Sequence, residues 1–244
     1  MSTRNSYILS HMELRLDSFL SKYGVCSRRK AKVLVENGNV WVNGAVVHSI
    51  VKVDEDKDVV SIDAKPVKTK NLKYRYIVLN KPVGILSSSK DDRGRKTVLD
   101  IVRVPERVYP IGRLDFNSSG LILLTNDGDF ALKVTHPRYN IPKKYIVKTE
   151  EPLTIGKLDK MRKGVFIEEA KTLPCEIKKM DNKTFEITLH QGLKRQIREM
   201  CRAVELTVSE LERISIGNLN LGDLKVGEFR DLTEGEVEML KDLF

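Results

Sequence analysis

A polar, cationic segment at residues 63–74 divides this chain of 244 residues into two parts with different patterns of apolar side chains. Its composition, which includes one proline, is typical of a linker. The part before it combines apolar residues at helical spacing with short strands, whereas the part after it is rich in strands. We therefore predict an α+β protein with a small domain at residues 13–62 and a larger domain at residues 75–244. Residues 1–12 show little pattern and are expected to be a disordered tail or a cloning remnant.

The charge and the cysteine content narrow the class of protein. There are 43 Lys and Arg against 34 Asp and Glu, and this net charge of +9 favours an anionic partner, for which nucleic acid is the default. No apolar stretch approaches the roughly 20 residues that cross a bilayer, and no secretory signal is visible at the N-terminus. The three cysteines and four histidines are scattered, without metal-ligand or disulfide spacing. We therefore expect a cytoplasmic protein without a metal site or a membrane segment.

Two helices and a tight turn are predicted for the first domain. Apolar residues repeat at helical spacing from Leu16 to Tyr23, and Ser27 is a suitable N-cap for a second helix from Arg28 to Asn37. The dipeptide Asn43-Gly44 then predicts a hairpin turn. The cations at the start of the second helix include Arg28, Arg29 and Lys30. A helix N-terminus with adjacent cations is suited to binding phosphate, but the same cluster also fits a solvated helix face.

In the larger domain, Gly112-Arg113-Leu114-Asp115 lies between two apolar segments, at the start of a turn rich in Asn, Ser and Gly. A carboxylate at this point is poorly placed for packing and well placed for chemistry. The alternative is that Asp115 only caps the following turn, which is the usual role of Asp in such a sequence. Arg113 is two residues away, and in an extended segment the two side chains point to the same face.

Two further side chains are candidates for the same chemistry. Tyr145 follows two lysines at the start of a predicted strand, where it either packs against the core or stacks on an extruded base. Arg198 lies on the arginine side of a predicted amphipathic helix. There it either belongs to a solvated or RNA-backbone stripe, or keeps a nearby carboxylate ionised.

The sequences of these segments resemble known RNA-binding and RNA-modifying proteins. The first domain resembles the small alpha-L RNA-binding domain through Arg15-Leu16-Asp17, Gly24 to Arg29, Gly38-Asn39-Val40 and Val42-Asn43-Gly44. The larger domain resembles the pseudouridine synthases of the branch typified by RsuA, RluB, RluE and RluF. The segments that carry this second resemblance are Leu79-Asn-Lys-Pro-Val-Gly84, Tyr109-Pro-Ile-Gly-Arg-Leu-Asp115, Ser119-Gly-Leu-Ile-Leu-Leu-Thr-Asn-Asp-Gly128, Lys143-Lys-Tyr145 and Gln191-Gly-Leu-Lys-Arg-Gln-Ile-Arg198.

The resemblance implies isomerisation of uridine to pseudouridine in RNA, without a cofactor, by a domain built on a mainly antiparallel mixed sheet with flanking helices. Asp115 takes the place of the family's essential aspartate and is expected to attack either the uracil ring or the sugar. Arg198 is expected to pair with it, Tyr145 to stack on the flipped base and Arg113 to lie beside the site. The residues expected to contact RNA are Arg28, Arg29, Lys30, Lys81, Arg195 and Gln196.

Several segments bear on which RNA is the substrate. The motif that ends at Arg198 and the segment Leu211-Glu-Arg213 are similar to RluF-like enzymes of large-subunit ribosomal RNA. Thr135-His136-Pro137 is similar to RluB-like enzymes, and Gln191 stands where much of the branch has glutamate. We therefore expect a monomeric enzyme of ribosome biogenesis that acts on ribosomal RNA, with the 23S molecule as first candidate. The alternatives are small-subunit ribosomal RNA, transfer RNA, or a non-catalytic ribosome-assembly factor, whereas DNA binding has only the basic charge behind it.

Overall fold

The residues described by the computed structural model are 13–69, 72–168 and 170–244. The chain divides into two compact units, Met1–Lys73 and Tyr74–Phe244. The predicted tail at residues 1–12 lies outside the described residues. Among the described residues, no helix has both the length and the apolar character needed to cross a membrane.

The first unit combines two helices with short antiparallel strands. Its elements in chain order are β1 (Glu13–Arg15), α1 (Leu16–Lys22), α2 (Arg28–Glu36), β2 (Val40–Val42), β3 (Ala45–Val46), β4 (Lys52–Asp54), β5 (Val60–Ile62) and β6 (Lys65–Pro66). One sheet has the order β3, β2, β5, β6, and β1 pairs with β4. The predicted turn joins β2 to β3, and its residues Asn43 and Gly44 have φ values of 52° and 81°. Two positive φ angles are what a type I′ hairpin turn requires.

The helices of the first unit pack on each other and leave their cations outside. Phe19 of α1 and Ala31 and Val35 of α2 are buried in one apolar cluster. The second helix begins as predicted after Ser27, whose hydroxyl accepts a hydrogen bond from the Lys30 N–H at 3.2 Å. Because the apolar face of α2 is used for the core, the basic residues at its start lie on the surface.

The first unit extends further along the chain than predicted. The sequence predicts a linker at residues 63–74, but β6 pairs with β5 inside that segment. The N–H of Val67 also donates to the backbone oxygen of Val60 at 2.8 Å. The side chains of β6 are exposed, so its polar composition suits an edge strand as well as a linker. The first compact unit therefore ends at Lys73, and the boundary with the second unit lies within the segment predicted as a linker.

The second unit is built on one large sheet. The strands of this unit are β7 (Tyr76–Lys81), β8 (Tyr109–Ile111), β9 (Ser119–Thr125), β10 (Lys143–Thr149), β11 (Phe166–Ile167), β12 (Ala170–Lys171), β13 (Glu176–Lys179), β14 (Thr184–Leu189), β15 (Val208–Ile216), β16 (Leu219–Asn220) and β17 (Phe229–Asp231). Strands β11 and β12 pair with each other in a separate two-stranded sheet. Its helices are α3 (Val98–Ile101), α4 (Gly128–Thr135), α5 (Ile155–Arg162), α6 (Gln196–Arg202) and α7 (Glu234–Lys241), with a 3₁₀ turn at Pro137–Tyr139.

The large sheet is mixed and mainly antiparallel, as predicted. Its strands follow the order β13, β14, β10, β15, β9, β7, β17, and β8 and β16 pair with β9 and β15. The β15–β9 pair is parallel, and the other strand pairs of this sheet that the described residues form are antiparallel. The predicted α+β class is therefore confirmed.

Strand β9 is covered on both faces, which explains its continuous apolar run. Leu121 and Leu123 belong to a cluster with residues of α4 and α7, whereas Ile122 and Leu124 belong to a second cluster with residues of β7 and α3. A third cluster joins α5 and α6 to β10 and β14. Successive side chains of a strand point to opposite faces, so a central strand buried on both sides is apolar throughout.

Gly120 allows β9 to lie directly against β15. It pairs with Arg213 in the parallel register and has a φ of +102°. A Cβ atom at this position would lie 2.3 Å from the backbone oxygen of Arg213, so only glycine permits the approach. This junction holds the start of β9, and therefore the loop that precedes it, against the centre of the sheet.

Candidate active site

Asp115 lies in the loop between β8 and β9, with its side chain half-buried. The preceding Leu114 is 6% exposed and packs into the cluster of β7, β9 and α3. The hydroxyl of Ser87 accepts a hydrogen bond from the Leu114 N–H at 3.0 Å and donates one to the Leu114 oxygen at 2.9 Å. The Ser118 N–H donates to the backbone oxygen of Asp115 at 3.1 Å. The turn is thus closed by the backbone of Asp115, and its carboxylate is left for another role.

Two further hydrogen bonds hold the same loop. The N–H of Gly84 donates to the backbone oxygen of Phe116 at 2.8 Å. Nη2 of Arg198 donates to the backbone oxygen of Asn117 at 2.7 Å. The segment from Gly84 to Ser87 and the side chain of Arg198 therefore fix the backbone on which Asp115 sits. A fixed backbone lowers the cost of aiming a reactive group.

The charges close to Asp115 are cationic. Burial lowers the pKa of Lys81 to about 8, and attraction to Asp115 only partly offsets this. Burial also lowers the pKa of Arg198, as does repulsion from Arg195, whereas attraction to Asp115 raises it. Among the described residues, the Asp115 carboxylate accepts no hydrogen bond and has no ion pair within 4.0 Å. It is therefore surrounded by positive charge without being neutralised by a direct contact.

Arg198 reaches the Asp115 loop through backbone contacts. Its Nη1 donates to the backbone oxygen of Val208 at 3.2 Å, and its Nη2 donates to the backbone oxygen of Asn117 at 2.7 Å. Its Nε atom is buried and has no partner among the described residues. The sequence predicts a pair between Asp115 and Arg198, and the structure brings the two side chains into electrostatic range without a salt bridge.

Tyr145 lies beneath the same loop. It is half-buried in β10 and packs against two apolar clusters, one of which contains Leu114. Its backbone pairs with Arg213 across an irregularity between Lys144 and Tyr145. The ring is therefore held by the core next to the Asp115 loop, while part of it stays accessible.

The remaining predicted site and RNA-binding residues of the second unit divide into exposed and buried groups. Arg113 and Arg195 are exposed, and Arg195 has a φ of 51° at the start of α6. Lys81 and Gln196, by contrast, are 0% and 4% exposed. The ammonium of Lys81 donates to the oxygens of Pro82 and Ile85 at 2.8 and 2.9 Å.

This burial corrects the expected role of two residues. An ammonium enclosed by backbone carbonyls does not reach an RNA phosphate from the surface, so Lys81 acts within the protein. Gln196 accepts a hydrogen bond from the Leu193 N–H at 3.1 Å and holds the loop before α6.

The predicted RNA-binding cations of the first unit are exposed as expected: Arg28, Arg29 and Lys30. Arg28 is oriented by Asp17, whose side chain is 1% exposed and receives the Arg28 Nε at 2.9 Å. Burial raises the pKa of Asp17, but hydrogen bonds from Arg28 and Arg15 outweigh it, and the net pKa is lowered. The guanidinium of Arg28 therefore has an ionised partner on one side and solvent on the other.

The structure adds two residues to the site. Ser87 lies in a run of three serines, and nothing in the sequence distinguishes it from its neighbours. Arg213 is 3% exposed, its Nε donates to the Leu121 oxygen at 2.7 Å, and its Nη2 has no partner among the described residues. Arg213 belongs to a segment that resembles RluF-like enzymes, Leu211-Glu-Arg213. Its burial where β15 pairs with β9 has no local signal in the sequence.

No group of three His, Cys, Asp or Glu side chains in the described parts of the chain is arranged to hold a metal ion. The chemistry that this arrangement offers is that of one half-buried carboxylate in a cationic setting, with an aromatic ring beside it. Such a carboxylate is suited to act as a nucleophile on an electron-poor carbon.

Comparisons with known proteins agree with this geometry. The sequence pattern of the RNA pseudouridylate synthase family matches residues 75–203, and that of the S4 domain matches residues 14–56. The ribosomal large subunit pseudouridine synthase B of Bacillus subtilis (strain 168) is 40% identical over 237 residues, which cover 94% of this chain and 96% of the relative. The dual-specificity RNA pseudouridine synthase RluF of Escherichia coli (strain K12) is 40% identical, over 97% of this chain and 80% of the relative.

The fold comparison gives the same result. A crystal structure of a pseudouridylate synthase superposes with a TM-score of 0.69 at 28% identity, covering 93% of this chain and 99% of the other. An uncharacterised RNA pseudouridine synthase of Aquifex aeolicus (strain VF5) is 42% identical over 94% of both chains. The chain therefore belongs to the RNA pseudouridylate synthase family, with an S4 domain preceding the synthase domain.

Proposed function

We propose that this RNA pseudouridine synthase isomerises a uridine of large-subunit ribosomal RNA, with Asp115 as the nucleophile. The observation that carries the proposal is the Asp115 loop, whose backbone is held by Ser87, Gly84 and Arg198. Lys81 and Arg198 lie within electrostatic range of its carboxylate. A nucleophilic carboxylate must be well aimed, and the hydrogen bonds that hold the backbone of this loop support that aim.

The proposed reaction gains and loses no atoms overall. A carboxylate oxygen of Asp115 bonds to the sixth carbon of uracil or to the anomeric carbon of the sugar, and the bond between N1 and the sugar breaks. The base then rotates, the fifth ring carbon bonds to the sugar and the carboxylate is released. The proton from the fifth carbon leaves and N1 takes one up, so no electrons are exchanged with an outside group.

Each neighbour of Asp115 has a role that follows from its position. Arg198 and Lys81 place positive charge within electrostatic range of the Asp115 side chain. Tyr145 offers the accessible part of its ring to the flipped base, and a stacked base contributes about 1–3 kcal/mol. Arg113 is exposed two residues before Asp115, where it is placed to contact the adjoining phosphate.

Two unpartnered atoms support the view that the site is completed by a bound molecule. Ser118 Oγ and Arg198 Nε are buried and have no partner within the described residues. Both residues bond to the loop that carries Asp115. Buried polar atoms in native proteins are nearly always paired, so orphans at one loop indicate a place where water or substrate contributes.

RNA binding is shared with the first unit in this proposal. Arg28, Arg29 and Lys30 project from the start of α2, where helix N–H groups and side-chain cations face the same solvent region. Phosphate contacts of this kind add affinity without reading sequence. The choice of large-subunit RNA rests on the name of the Bacillus subtilis relative, and the dual-specificity name of the Escherichia coli relative keeps transfer RNA and small-subunit RNA as alternatives.

The decisive test is to map pseudouridines by carbodiimide-dependent stops. Unmodified 23S, 16S and transfer RNA transcripts are incubated with the purified protein and with its Asp115→Asn variant. We expect one or a few new stops in 23S RNA with the wild type and none with Asp115→Asn, while the variant binds the same transcript with unchanged affinity. Stops confined to another RNA would contradict the substrate, and full turnover by Asp115→Asn would contradict the nucleophile.

A further inference from the structure

Phe116 is a large apolar side chain held in solvent directly beside Asp115. It is 45% exposed, and Val83, which adjoins the hydrogen bond between Gly84 N–H and the Phe116 oxygen, is 59% exposed. Exposed apolar side chains therefore adjoin both partners of the backbone hydrogen bond that holds the Asp115 loop. Leu114, two residues before Phe116, is 6% exposed, so the chain turns one apolar side chain into the core and the other outward.

The backbone that presents Phe116 is fixed at both ends. The Gly84 N–H holds the Phe116 oxygen at 2.8 Å, and Arg198 holds the oxygen of the next residue, Asn117, at 2.7 Å. A phenylalanine ring has only two side-chain torsions, so little freedom remains to be lost when it contacts a partner. Rigid aromatic side chains of this kind are effective contact points on a binding surface.

A lone exposed apolar residue is ordinary on a protein surface, and its location decides whether it has a function. Here the exposed cation Arg113 lies three residues before Phe116 in the chain, and Arg198 bonds to the backbone oxygen of the next residue, Asn117. An aromatic ring among cations suits single-stranded or opened nucleic acid, because bases stack on the ring while phosphates meet the charges. The net charge of +9 favours the same partner.

We propose that Phe116 enters the RNA base stack at the place that the target uridine leaves when it moves into the Asp115 site. This proposal rests on the proposed function. A base that reacts at a half-buried carboxylate must leave its stack, and the gap must be filled or the stack closes again. Apolar side chains inserted between base steps perform this task in other nucleic-acid-binding proteins. Phe116 is positioned for it because it adjoins Asp115 in the same turn.

The activity test compares stacked and unstacked forms of one target. The variants are Phe116→Ala and Phe116→Trp, with Phe166→Ala as the matched control, since Phe166 is 74% exposed on β11. The substrates are the unmodified RNA transcript identified by mapping and a short single-stranded oligonucleotide around the same uridine. We expect Phe116→Ala to lower kcat/KM on the structured transcript by about 10-fold or more, which is the effect of one lost stacking contact.

The oligonucleotide separates stacking from other roles. Phe116→Ala should lose much less activity there, because the base is already free. Phe116→Trp, which keeps an aromatic ring, should retain more activity on the transcript than Phe116→Ala, and Phe166→Ala should remain near the wild type on both substrates. Equal loss on both substrates, or no loss on either, overturns the proposal. If the wild type forms no pseudouridine in any RNA tested, the proposed function fails and this inference fails with it.

A second measurement does not depend on turnover. The fluorescent base 2-aminopurine is placed beside the target uridine, and the RNA is bound by Asp115→Asn protein. We expect a quenched signal, since the inserted ring stacks on the probe, and a bright signal with the double variant Asp115→Asn and Phe116→Ala. The same brightness with both proteins would contradict insertion.

Discussion

Ser87→Ala should uncouple the position of Asp115 from the binding of RNA. The hydroxyl of Ser87 makes two hydrogen bonds to one residue, accepting from the Leu114 N–H at 3.0 Å and donating to the Leu114 oxygen at 2.9 Å. Removing the hydroxyl deletes both bonds at once, immediately before the proposed nucleophile. The other attachments of the loop, at Gly84 and Arg198, remain.

The magnitude follows from these contacts. Each hydrogen bond contributes about 0.5–1.5 kcal/mol net, so the free energy of unfolding should fall by about 1–3 kcal/mol. A displacement of a reacting group by about 1 Å can cost on the order of 100-fold in rate. Because two attachments stay in place, we expect kcat to fall by about 10- to 100-fold while the Kd for RNA is unchanged.

The neighbouring serine provides a matched control. Ser88 also donates a hydrogen bond, to the oxygen of Lys90 at 2.8 Å, but at an exposed position away from Leu114. Chemical denaturation and single-turnover kinetics on the mapped RNA are measured for Ser87→Ala and Ser88→Ala. We expect Ser88→Ala to change stability by less than about 0.5 kcal/mol and to leave kcat intact. A wild-type kcat in Ser87→Ala, or equal losses in both variants, would refute the positioning argument.

Three other variants test separate parts of the structure. Burial lowers the pKa of Lys81 from 10.5 to about 8, so the unfolded chain binds the Lys81 proton more strongly than the folded protein does. Between these two pH values, the free energy of unfolding of the wild type should therefore rise with pH relative to that of Lys81→Met. Denaturant titrations should show a rise of up to about 1.4 kcal/mol per pH unit. Arg29→Ala should reduce the slope of log K for RNA against log salt by about 0.7–0.9, whereas Lys57→Ala, which removes a lysine ion-paired at 3.2 Å within its own turn, should change the slope less. Gly120→Ala should lower the stability of the second unit by more than about 3 kcal/mol, since the added Cβ would lie 2.3 Å from a backbone oxygen. A Cβ at Gly235 would have no atom within 4 Å, so Gly235→Ala should leave stability unchanged or raise it by up to about 1 kcal/mol. Thermal unfolding measures both.

Lys81 is buried and Arg29 is exposed, and residue type alone did not predict this difference. Both are cations in segments that resemble RNA-binding proteins, and both were expected to contact RNA. Arg29 is exposed, whereas the loop after β7 folds over Lys81 and supplies two carbonyl oxygens to its ammonium. Burial of a cation depends on what covers it, and that covering segment is chosen by the tertiary fold.

Composition did not separate the first residues of the predicted linker from an edge strand, for a related reason. Residues 65–66 are polar and exposed, as a linker would be, but their backbone pairs with β5. Edge strands carry polar side chains on both faces when nothing covers them, so composition does not separate them from loops. Whether these residues pair as a strand depends on the backbone of β5 beside them, which their own composition does not show.

Local features of this protein were determined by its sequence. The N-cap at Ser27, the turn at Asn43-Gly44, the apolar run of β9 and the polar turn after Asp115 all depend on residues close to one another along the chain, and so does the match to the synthase family. The surroundings of Asp115 were decided only by the tertiary structure. Its loop is held by partners 27 and 81 residues away, and contacts of that range have no periodic signal because they form only when separate elements pack together.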